Sequence, residues 1–234
     1  MPCVNSVGDM SMDNQIVAGV SVAGVKSSRQ PKPWFYRTFL KRPLDILLVV
    51  MAAPFIVPIV FVLAFLVMRD GGNPFYSQLR IGRSGRLYRM WKLRSMVVDA
   101  DQRLSAYLDE NPEAKREWDE TQKLRHDPRV TRFGRLLRRS SMDELPQLWN
   151  VLKGDMSLIG PRPMMPEQQE MYDGTGYYGL RPGITGFWQT TGRNATSFAD
   201  RAWYDDRYER DLSLSGDVAI LFRTFGVVMR ATGC

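Results

Sequence analysis

The residues best suited to chemistry lie in the segment Ser140–Pro163. Two adjacent acids, Asp143 and Glu144, follow the basic run Gly134–Arg139. A stiff Pro-Arg-Pro segment centred on Arg162 ends the stretch. Carboxylates beside phosphate-binding cations are what phosphoryl transfer and metal–phosphate chemistry need. One acid could attack phosphorus while its neighbour binds Mg²⁺, which takes one or two carboxylates and completes its shell with phosphate oxygens.

The acid pair also has a purely structural interpretation. Ser141 and Glu144 have the spacing of a capping box, which would start a helix running from about Ser141 to Lys153 and ending at Gly154. Acids are also favoured in a first helical turn by the helix dipole. The cations just upstream, which include Arg138, would instead keep a carboxylate ionised, as a nucleophile or a metal ligand must be. On the residues alone both interpretations stay open.

Two further basic groups are candidates for phosphate binding. Arg162 lies between Pro161 and Pro163 on an extended backbone, and its planar guanidinium could bind a pyrophosphate through two hydrogen bonds. Lys92 and Arg94 belong to a basic segment that follows a long apolar run. A proline-rich surface loop is the simpler interpretation of the first group. Attraction to anionic lipid, worth about 1 kcal/mol per cation, is the simpler interpretation of the second.

The composition favours an anionic partner. The chain has 234 residues and a net charge of +7, which suits a phosphate-bearing substrate, an anionic lipid or a nucleic acid. A membrane-tethered nucleic-acid-binding protein and a non-catalytic scaffold are therefore the alternatives to an enzyme. The basic residues are spread over several segments without a standard nucleic-acid-binding motif, which argues against nucleic acid. Cys3 and Cys234 lie at opposite termini, where they cannot staple a core, and they have no metal-type spacing, so we expect a reducing compartment.

The apolar segment Ile46–Met68 carries no charge and is long enough to cross a bilayer of about 30 Å. Pro54 and Pro58 lie inside it, where each removes a backbone donor and bends a helix. Both flanks, Lys26–Arg42 and Arg80–Arg94, are basic without an acid, and such flanks stay on the cytoplasmic side. A re-entrant helix that enters and leaves by one face keeps both flanks inside. A kinked spanning helix is the alternative.

The rest of the pattern predicts an α+β fold that is predominantly helical. Two strand-like runs, PFYSQLRIG and RLYRMWKLRSM, flank a hairpin turn at Gly82–Gly85. Residues 99–125 alternate in charge and suit one exposed helix. We expect three regions: a disordered tail (1–33), a membrane-embedded re-entrant helix (34–69) and a cytoplasmic catalytic domain (70–234).

A C-terminal apolar stripe fits one face of a helix, and such a stripe is more often core packing than membrane contact. A helix lying in the membrane plane is the alternative, because the rest of the chain points to a membrane. Its members are Val218, Leu221, Phe222, Phe225, Val228 and Met229.

Four blocks of the sequence resemble the bacterial sugar transferases, also called monotopic phosphoglycosyl transferases. Within this family the chain resembles the small, single-domain members related to exopolysaccharide galactosyl- or glucosyl-phosphate transferases. The resemblance covers about residues 38–232. The blocks are KRPLD (41–45), PFYSQLRIGRSGRLYRMWKLRSM (74–96), DPRVTRFGRLLRRSSMDELPQLWNVLKGDMSLIGPRP (127–163) and RPGITGFWQTTGRN (181–194).

The resemblance implies transfer of a hexose-1-phosphate from a UDP-sugar to undecaprenyl phosphate, with release of UMP, as the first step of glycan repeat-unit assembly. It implies Asp143 as the nucleophile that forms a sugar-phosphoryl aspartate, Glu144 as the Mg²⁺ ligand, and nucleotide contacts from Pro161–Pro163. The reaction would occur at the cytoplasmic face of the bacterial inner membrane, and self-association is left open. The hairpin would break at Pro54 and be fixed at the lipid head groups by three residues, Lys41, Arg42 and Asp45.

Overall fold

A computed structural model of the chain describes residues 35–121, 124–192, 198 and 200–229. The predicted disordered tail, residues 1–33, lies outside the described residues, as does residue 34 of the predicted membrane segment. The described part is mostly helical and contains two small two-stranded sheets, in agreement with the predicted α+β class.

The helices and strands follow one another along the chain with short 3₁₀ turns between some of them. A π-helical turn, Tyr36–Leu40, precedes the first helix. The helices are α1 (Lys41–Met68), α2 (Ala100–Glu110), α3 (Pro112–Thr121), α4 (Arg132–Arg139), α5 (Gln147–Lys153), α6 (Gly176–Gly179), α7 (Phe187–Thr191), α8 (Asp200–Asp211) and α9 (Leu214–Met229). The strands are β1 (Phe75–Ile81), β2 (Leu87–Leu93), β3 (Ser157–Ile159) and β4 (Gly183–Thr185).

The N-terminal helix exposes its middle and packs at both ends. Together with the preceding turn it is the one helix among the described residues that is long and apolar enough to cross a membrane. Phe55 and Phe61, in its middle, are 76% and 72% exposed. Val49, near its start, is buried in a cluster with residues of β2 and α5, and Val67, near its end, is buried in a cluster with residues of β2 and α4. Both ends of α1 are therefore attached to β2.

Pro54 and Pro58 lie inside α1, and the helix continues through both. A proline in a helix interior removes one backbone hydrogen bond and clashes with the preceding turn, so these residues weaken the helix at its exposed centre. The helix agrees with a membrane anchor, while its re-entrant path stays a prediction.

The predicted β-hairpin is confirmed. β1 and β2 pair antiparallel, with Phe75 opposite Leu93 and Ile81 opposite Leu87. The turn between them places Ser84 and Gly85 at φ of +58° and +76°, which is the left-handed backbone that a tight reversal needs.

Two sequence predictions about helices are wrong. Residues 99–125 form two helices rather than one, because Pro112 has no N–H to continue α2 and Asn111 before it is extended. The stripe on α9 packs only in part: Leu221 lies against a buried cluster that includes Ile220, whereas Phe222 and Phe225 are 76% and 69% exposed. The prediction that the whole stripe packs in the core is therefore wrong.

The second sheet brings two distant segments together. β3 and β4 are parallel, with Ser157 opposite Gly183 and Ile159 opposite Thr185. Just beyond β3, the carbonyl of Pro161 accepts a hydrogen bond of 2.8 Å from the N–H of Gly183. Because parallel strands end at the same edge, the Pro-Arg-Pro segment that follows β3 lies beside the helix α7 that follows β4.

Candidate active site

One large cleft brings together most of the catalytic and phosphate-binding candidates that the sequence singled out. Its volume is about 860 Å³, and it is bordered by β2, α4, the segment after β3, α7 and parts of α1 and α9. The predicted residues on its wall are Lys92, Arg94, Arg138, Asp143, Glu144 and Arg162. Pro161 and Pro163 do not line the cleft, and they flank Arg162 on the backbone behind it.

The acid pair lies on a 3₁₀ turn and does not cap a helix. Ser141 has φ of +55° and its side chain makes no capping hydrogen bond. The turn covers Met142–Glu144, and α5 begins only at Gln147. The predicted helix from Ser141 is therefore wrong at its start, and the capping box is not formed. The capping explanation of the acid pair is thereby removed.

A single lysine faces both carboxylates. The Lys92 ammonium group donates a hydrogen bond of 2.8 Å to Oε1 of Glu144 and lies 3.9 Å from Oδ2 of Asp143. Burial raises the pKa of Asp143 above its usual range; the charge of Lys92 opposes this rise, the charge of Glu144 adds to it, and that of Arg138 opposes it. Asp143 is 8% exposed. The carboxyl group is thus poorly hydrated, and its burial outweighs the cations that the sequence predicted would keep it ionised.

The buried Asn150 holds α5 against β2. Its Oδ1 accepts a hydrogen bond of 3.0 Å from the N–H of Trp91, and its Nδ2 donates to the carbonyl of Arg89 at 2.7 Å. The side-chain amide of Asn150 thus hydrogen-bonds to the backbone of β2 in the way that a neighbouring strand would. Since Lys92 is on β2 and Glu144 just precedes α5, this amide fixes the distance between them.

The predicted cations Arg138 and Arg94 are anchored in different ways. Arg138 donates from Nε to Oγ of Ser95 at 2.9 Å, which leaves the rest of its guanidinium toward the cleft. Arg94 donates from Nη2 to the carbonyls of Val67, at 3.1 Å, and Gly71. Its described contacts therefore fasten the end of α1 to β2, although its side chain also borders the cleft.

Arg162 lies beside an aromatic ring that the sequence did not indicate. Its guanidinium is 6.0 Å from the ring centre of Trp188 on α7, a cation–π distance. The guanidinium of the buried Arg201, on α8, lies 5.8 Å from the centre of the same ring. The cation–π contact with Trp188 holds Arg162 at the edge of the cleft.

Sequence reasoning missed Gln189, the residue after Trp188. It lines the cleft, and neither its amide nitrogen nor its amide oxygen has a hydrogen-bond partner among the described residues, although both atoms are shielded from solvent. The motif RPGITGFWQTTGRN contained the only signal for it. A buried amide without partners costs roughly 1–3 kcal/mol, so a ligand that supplies both partners is favoured at this place.

The three residues predicted at the lipid head groups make internal contacts. Lys41 forms an ion pair of 2.6 Å with Asp217, and Arg42 donates to two carbonyls at the end of α5. Asp45 accepts a hydrogen bond of 2.7 Å from Oγ of Ser157. These contacts attach α1 to β3, α5 and α9, and the predicted head-group role stays a prediction. Pro54 is exposed in the middle of α1.

The donor set near Asp143 suits a metal that also uses substrate oxygens. Among the described residues no group of three or more His, Cys, Asp or Glu side chains is placed to hold a metal ion by itself. Asp143 and Glu144 nevertheless open into the same cleft as Lys92, Arg138 and Arg162, which are cations of the kind that bind phosphate. This arrangement fits Mg²⁺, which is commonly held by one or two carboxylates together with phosphate oxygens.

Most of this chain aligns with the sequences of known proteins. It is 46% identical over 83% of its length to the UDP-galactose-lipid carrier transferase of Erwinia amylovora. It is 45% identical, again over 83%, to the undecaprenyl-phosphate galactose phosphotransferase of Salmonella typhimurium. In both cases the match covers 41% of the relative, so the chain spans about two fifths of the length of these relatives.

A shorter relative is matched over most of both chains. The exopolysaccharide production protein ExoY of Sinorhizobium fredii is 40% identical over 82% of this chain and 87% of its own length. Residues 36–231, which include the anchor helix, the acid pair and α9, match the family described as bacterial sugar transferase. This chain therefore belongs to the bacterial sugar transferase family.

Proposed function

We propose that this protein transfers a hexose-1-phosphate from a UDP-sugar to undecaprenyl phosphate and releases UMP. The observation that carries the proposal is the position of Asp143, a buried carboxyl group in a cleft bordered by Lys92, Arg138 and Arg162. The relatives named as galactose phosphotransferase and UDP-galactose-lipid carrier transferase support the same class of donor and acceptor.

The reaction proceeds in two displacements at one phosphorus. A carboxylate oxygen of Asp143 attacks the phosphorus that carries the sugar, the bond from that phosphorus to the bridging oxygen breaks, and UMP leaves with the electron pair. The product is a sugar-phosphoryl aspartate. A phosphate oxygen of the polyprenyl phosphate then attacks the same phosphorus, the bond to the Asp143 oxygen breaks, and the free carboxylate is restored with a lipid-linked diphosphosugar.

The cations of the cleft neutralise the charge that both displacements create. Arg162 suits the pyrophosphate because a planar guanidinium can bind two of its oxygens at once. Lys92 lies near both acids and stabilises negative charge where the new bond forms. Glu144, with Asp143 beside it, would hold Mg²⁺, which supplies further neutralisation of the phosphate oxygens when bound.

The apolar parts of the cleft wall suit a lipid acceptor. Ile56, from the middle of α1, and Val227, near the end of α9, border the same cleft as the acid pair. Phe222 and Phe225 of α9 are exposed, and the apolar side chains in the middle of α1 are exposed as well. We infer that these surfaces lie in one leaflet and that the polyprenyl chain approaches between them. A helix lying in the membrane plane buries an apolar face in this way.

A re-entrant path of α1 fits this arrangement better than a span. The helix rises about 1.5 Å per residue, so its ends would lie on opposite sides of a bilayer if it crossed. Asp45, near one end, and Val67, near the other, both contact the polar catalytic part of the chain. That part must stay in water on one side. The nucleotide sugar is cytoplasmic, so the cytoplasmic face of the inner membrane is the side we infer.

The function is tested by incubating the full chain with undecaprenyl phosphate, Mg²⁺ and a panel of UDP-hexoses. We expect UMP and a lipid-linked diphosphosugar in equal amounts with at least one donor, and a sugar-phosphoryl protein when the acceptor is omitted. Asp143→Asn should abolish both, with turnover lower by at least about three orders of magnitude. The exposed Asp211, replaced by Asn, is the control. Turnover near the native rate in the Asp143→Asn variant would refute the mechanism.

A further inference from the structure

One part of the cleft wall has no role in the two displacements. It is formed by α2, α3 and the segments that flank them, and we call it the α2–α3 lobe. The N–H of Val97 donates to the carbonyl of Arg129 at 2.9 Å, and the guanidinium of Arg129 lies 5.0 Å from the ring centre of Trp118. An aromatic ring, a guanidinium group and a carboxylate thus belong to one part of the wall. The cleft-lining residues of the lobe are Val97, Val98, Ala100, Asp101, Trp118 and Arg129.

Arg138 joins the lobe to the acid pair. Its Nε donates to Oγ of Ser95 at 2.9 Å, and Ser95 is only two residues before Val97. Burial raises the pKa of Asp143, and the charge of Arg138 opposes this rise, so the same guanidinium is also close to the acid pair. A phosphate bound by Arg138 would therefore have the acids as one neighbour and the α2–α3 lobe as the other.

The charges of the lobe do not suit a phosphate. Arg129 donates to both carboxylate oxygens of Asp127, at 2.9 and 2.7 Å, so its positive charge is already matched. Asp101, exposed in the first turn of α2, adds a negative charge that repels phosphate. The same groups suit a nucleoside, because a base stacks on an aromatic ring and a carboxylate accepts hydrogen bonds from ribose hydroxyl groups.

The covalent structure of a UDP-sugar decides between its two arms, since the hexose also carries hydroxyl groups. The hexose is attached to the phosphorus that Asp143 attacks, whereas the nucleoside is attached to the other phosphorus. A group reached from the acid pair by way of a phosphate-binding cation is therefore on the nucleoside arm. The cleft volume of about 860 Å³ lies within the usual range for small-molecule sites, roughly 300–1,000 Å³, so one cleft can hold both arms.

We propose that the α2–α3 lobe binds the nucleoside of the UDP-sugar, with the uracil on Trp118 and the ribose hydroxyl groups on Asp101. This assignment rests on the proposed use of a UDP-sugar, and it gives two residues outside the reacting centre a binding role. None of the described side chains of α2 and α3 is buried, so little packing holds these helices. A nucleotide that joins them to the rest of the cleft should therefore slow hydrogen exchange of their backbone amides.

The test measures the binding of UMP to the full chain in an uncharged detergent by titration calorimetry. UMP has no hexose and needs no turnover, so the readout is independent of the transfer reaction. We expect Trp118→Leu to raise the Kd of UMP about tenfold, which is about 1.4 kcal/mol. Trp203→Leu is the matched control, because Trp203 is an exposed tryptophan 5.1 Å from the guanidinium of Arg207 and does not line the cleft. Its Kd should be unchanged.

A second variant tests the ribose contact separately. We expect Asp101→Ala to raise the Kd of UMP about fivefold, because a hydrogen bond to a carboxylate is lost. The Kd of 2′,3′-dideoxy-UMP, which lacks both hydroxyl groups, should not change. Asp109→Ala, exposed on the same helix and outside the cleft lining, should change neither value. In the native protein UMP should slow hydrogen exchange in α2 and α3.

Four outcomes would overturn the proposal. An unchanged Kd of UMP with a raised KM for the UDP-hexose in the Trp118→Leu protein would assign the lobe to the hexose. Equal effects of Trp118→Leu and Trp203→Leu would mean that there is no built site. Equal effects of Asp101→Ala on UMP and on its dideoxy analogue would remove the ribose contact. Absence of UMP binding in a native protein that releases UMP from a UDP-hexose would remove the nucleoside site.

Failure of the proposed function gives a different result. If no UDP-hexose yields UMP while UMP still binds with the expected dependence on Trp118 and Asp101, the transfer reaction is refuted and the nucleoside site stands.

Discussion

The ammonium group of Lys92 lies 2.8 Å from Oε1 of Glu144, although 52 positions separate the two residues. This contact joins strand β2 to the 3₁₀ turn that carries the acid pair. Lys92 is also near Asp143, so one strand residue sets the charge environment of both acids. The geometry of the hairpin and its support by α5 therefore matter as much to the site as the acids themselves.

The buried position of Asp143 predicts a pH-dependent stability difference. Its folded pKa is raised above 3.8, the value for an unburied group. The folded state therefore binds the proton of the Asp143 carboxyl group more tightly than the unfolded state does. This difference stabilises the folded state fully below about pH 4, and the stabilisation is lost as the pH rises through the raised pKa. At neutral pH the ionised carboxylate costs stability. We expect Asp143→Asn to melt at a higher temperature than the native protein at neutral pH, with a smaller difference near pH 4. A lower melting temperature of the variant at neutral pH would mean that Lys92 stabilises the carboxylate by more than its burial costs.

Glu144→Gln should weaken the dependence on Mg²⁺. A neutral amide is a poor ligand for Mg²⁺, and the metal must compete with Lys92 for the native carboxylate. We expect the half-saturating Mg²⁺ concentration to rise by about tenfold, measured as the rate of UMP release. Glu113→Gln, on the exposed surface of α3, is the matched control. An unchanged half-saturating concentration in the Glu144→Gln variant would show that Glu144 does not bind the metal.

Asn150→Ala should destabilise the protein and misplace Lys92. The change leaves the N–H of Trp91 and the carbonyl of Arg89 without their partner, and each buried unpaired group costs about 1–3 kcal/mol. We expect a loss of about 2–4 kcal/mol in the free energy of unfolding, measured by denaturant titration, with reduced turnover. Asn111→Ala, at the end of α2, should cost less than about 1 kcal/mol because its side chain bonds only to a carbonyl one turn away. Equal losses in the two proteins would contradict the bridging role of Asn150.

Gln189→Leu should impair the use of the UDP-sugar donor more than the binding of the undecaprenyl phosphate acceptor. We expect the unpaired amide to bind hydroxyl groups of the transferred hexose, because it borders the same cleft as Asp143 and follows the ring that positions Arg162. Loss of one such group typically lowers kcat/KM for the UDP-sugar by about tenfold to a hundredfold. KM for undecaprenyl phosphate should be unchanged. An equal loss of affinity for UDP, which has no sugar, would assign the amide to the nucleotide instead.

Replacing Pro54 and Pro58 by Leu should straighten α1 and change its path. A straight helix of this length can cross the hydrocarbon core of about 30 Å. With Cys3 and Cys234 replaced, single cysteines at positions 5–30 should resist a membrane-impermeant thiol reagent in intact spheroplasts. In the double-Leu protein some of them should react. Strong labelling with both prolines present would establish a span and exclude the re-entrant path, without affecting the catalytic proposal.

The sequence by itself determined the chemical groups of the site and much of the local structure. Asp143 and Glu144 are adjacent in the chain, and Arg138 is one turn upstream, so their proximity needs no long-range information. The strand–turn–strand pattern from residue 75 to 93 was equally local, because alternation and turn residues specify a hairpin. The long apolar helix α1 was evident from length and composition alone.

The tertiary structure decided how these groups are used. Whether Ser141 caps a helix depends on its backbone angles, which the tertiary structure places in the left-handed region. The roles of Asn150 and Gln189 depend on partners, or on missing partners, in distant segments, and no periodicity encodes those. The exposed face of α9 was likewise unpredictable, because a helical stripe reports amphipathicity but not which neighbour covers it. Local patterns fix which residues can react or fold, whereas burial and long-range hydrogen bonds fix which of them do.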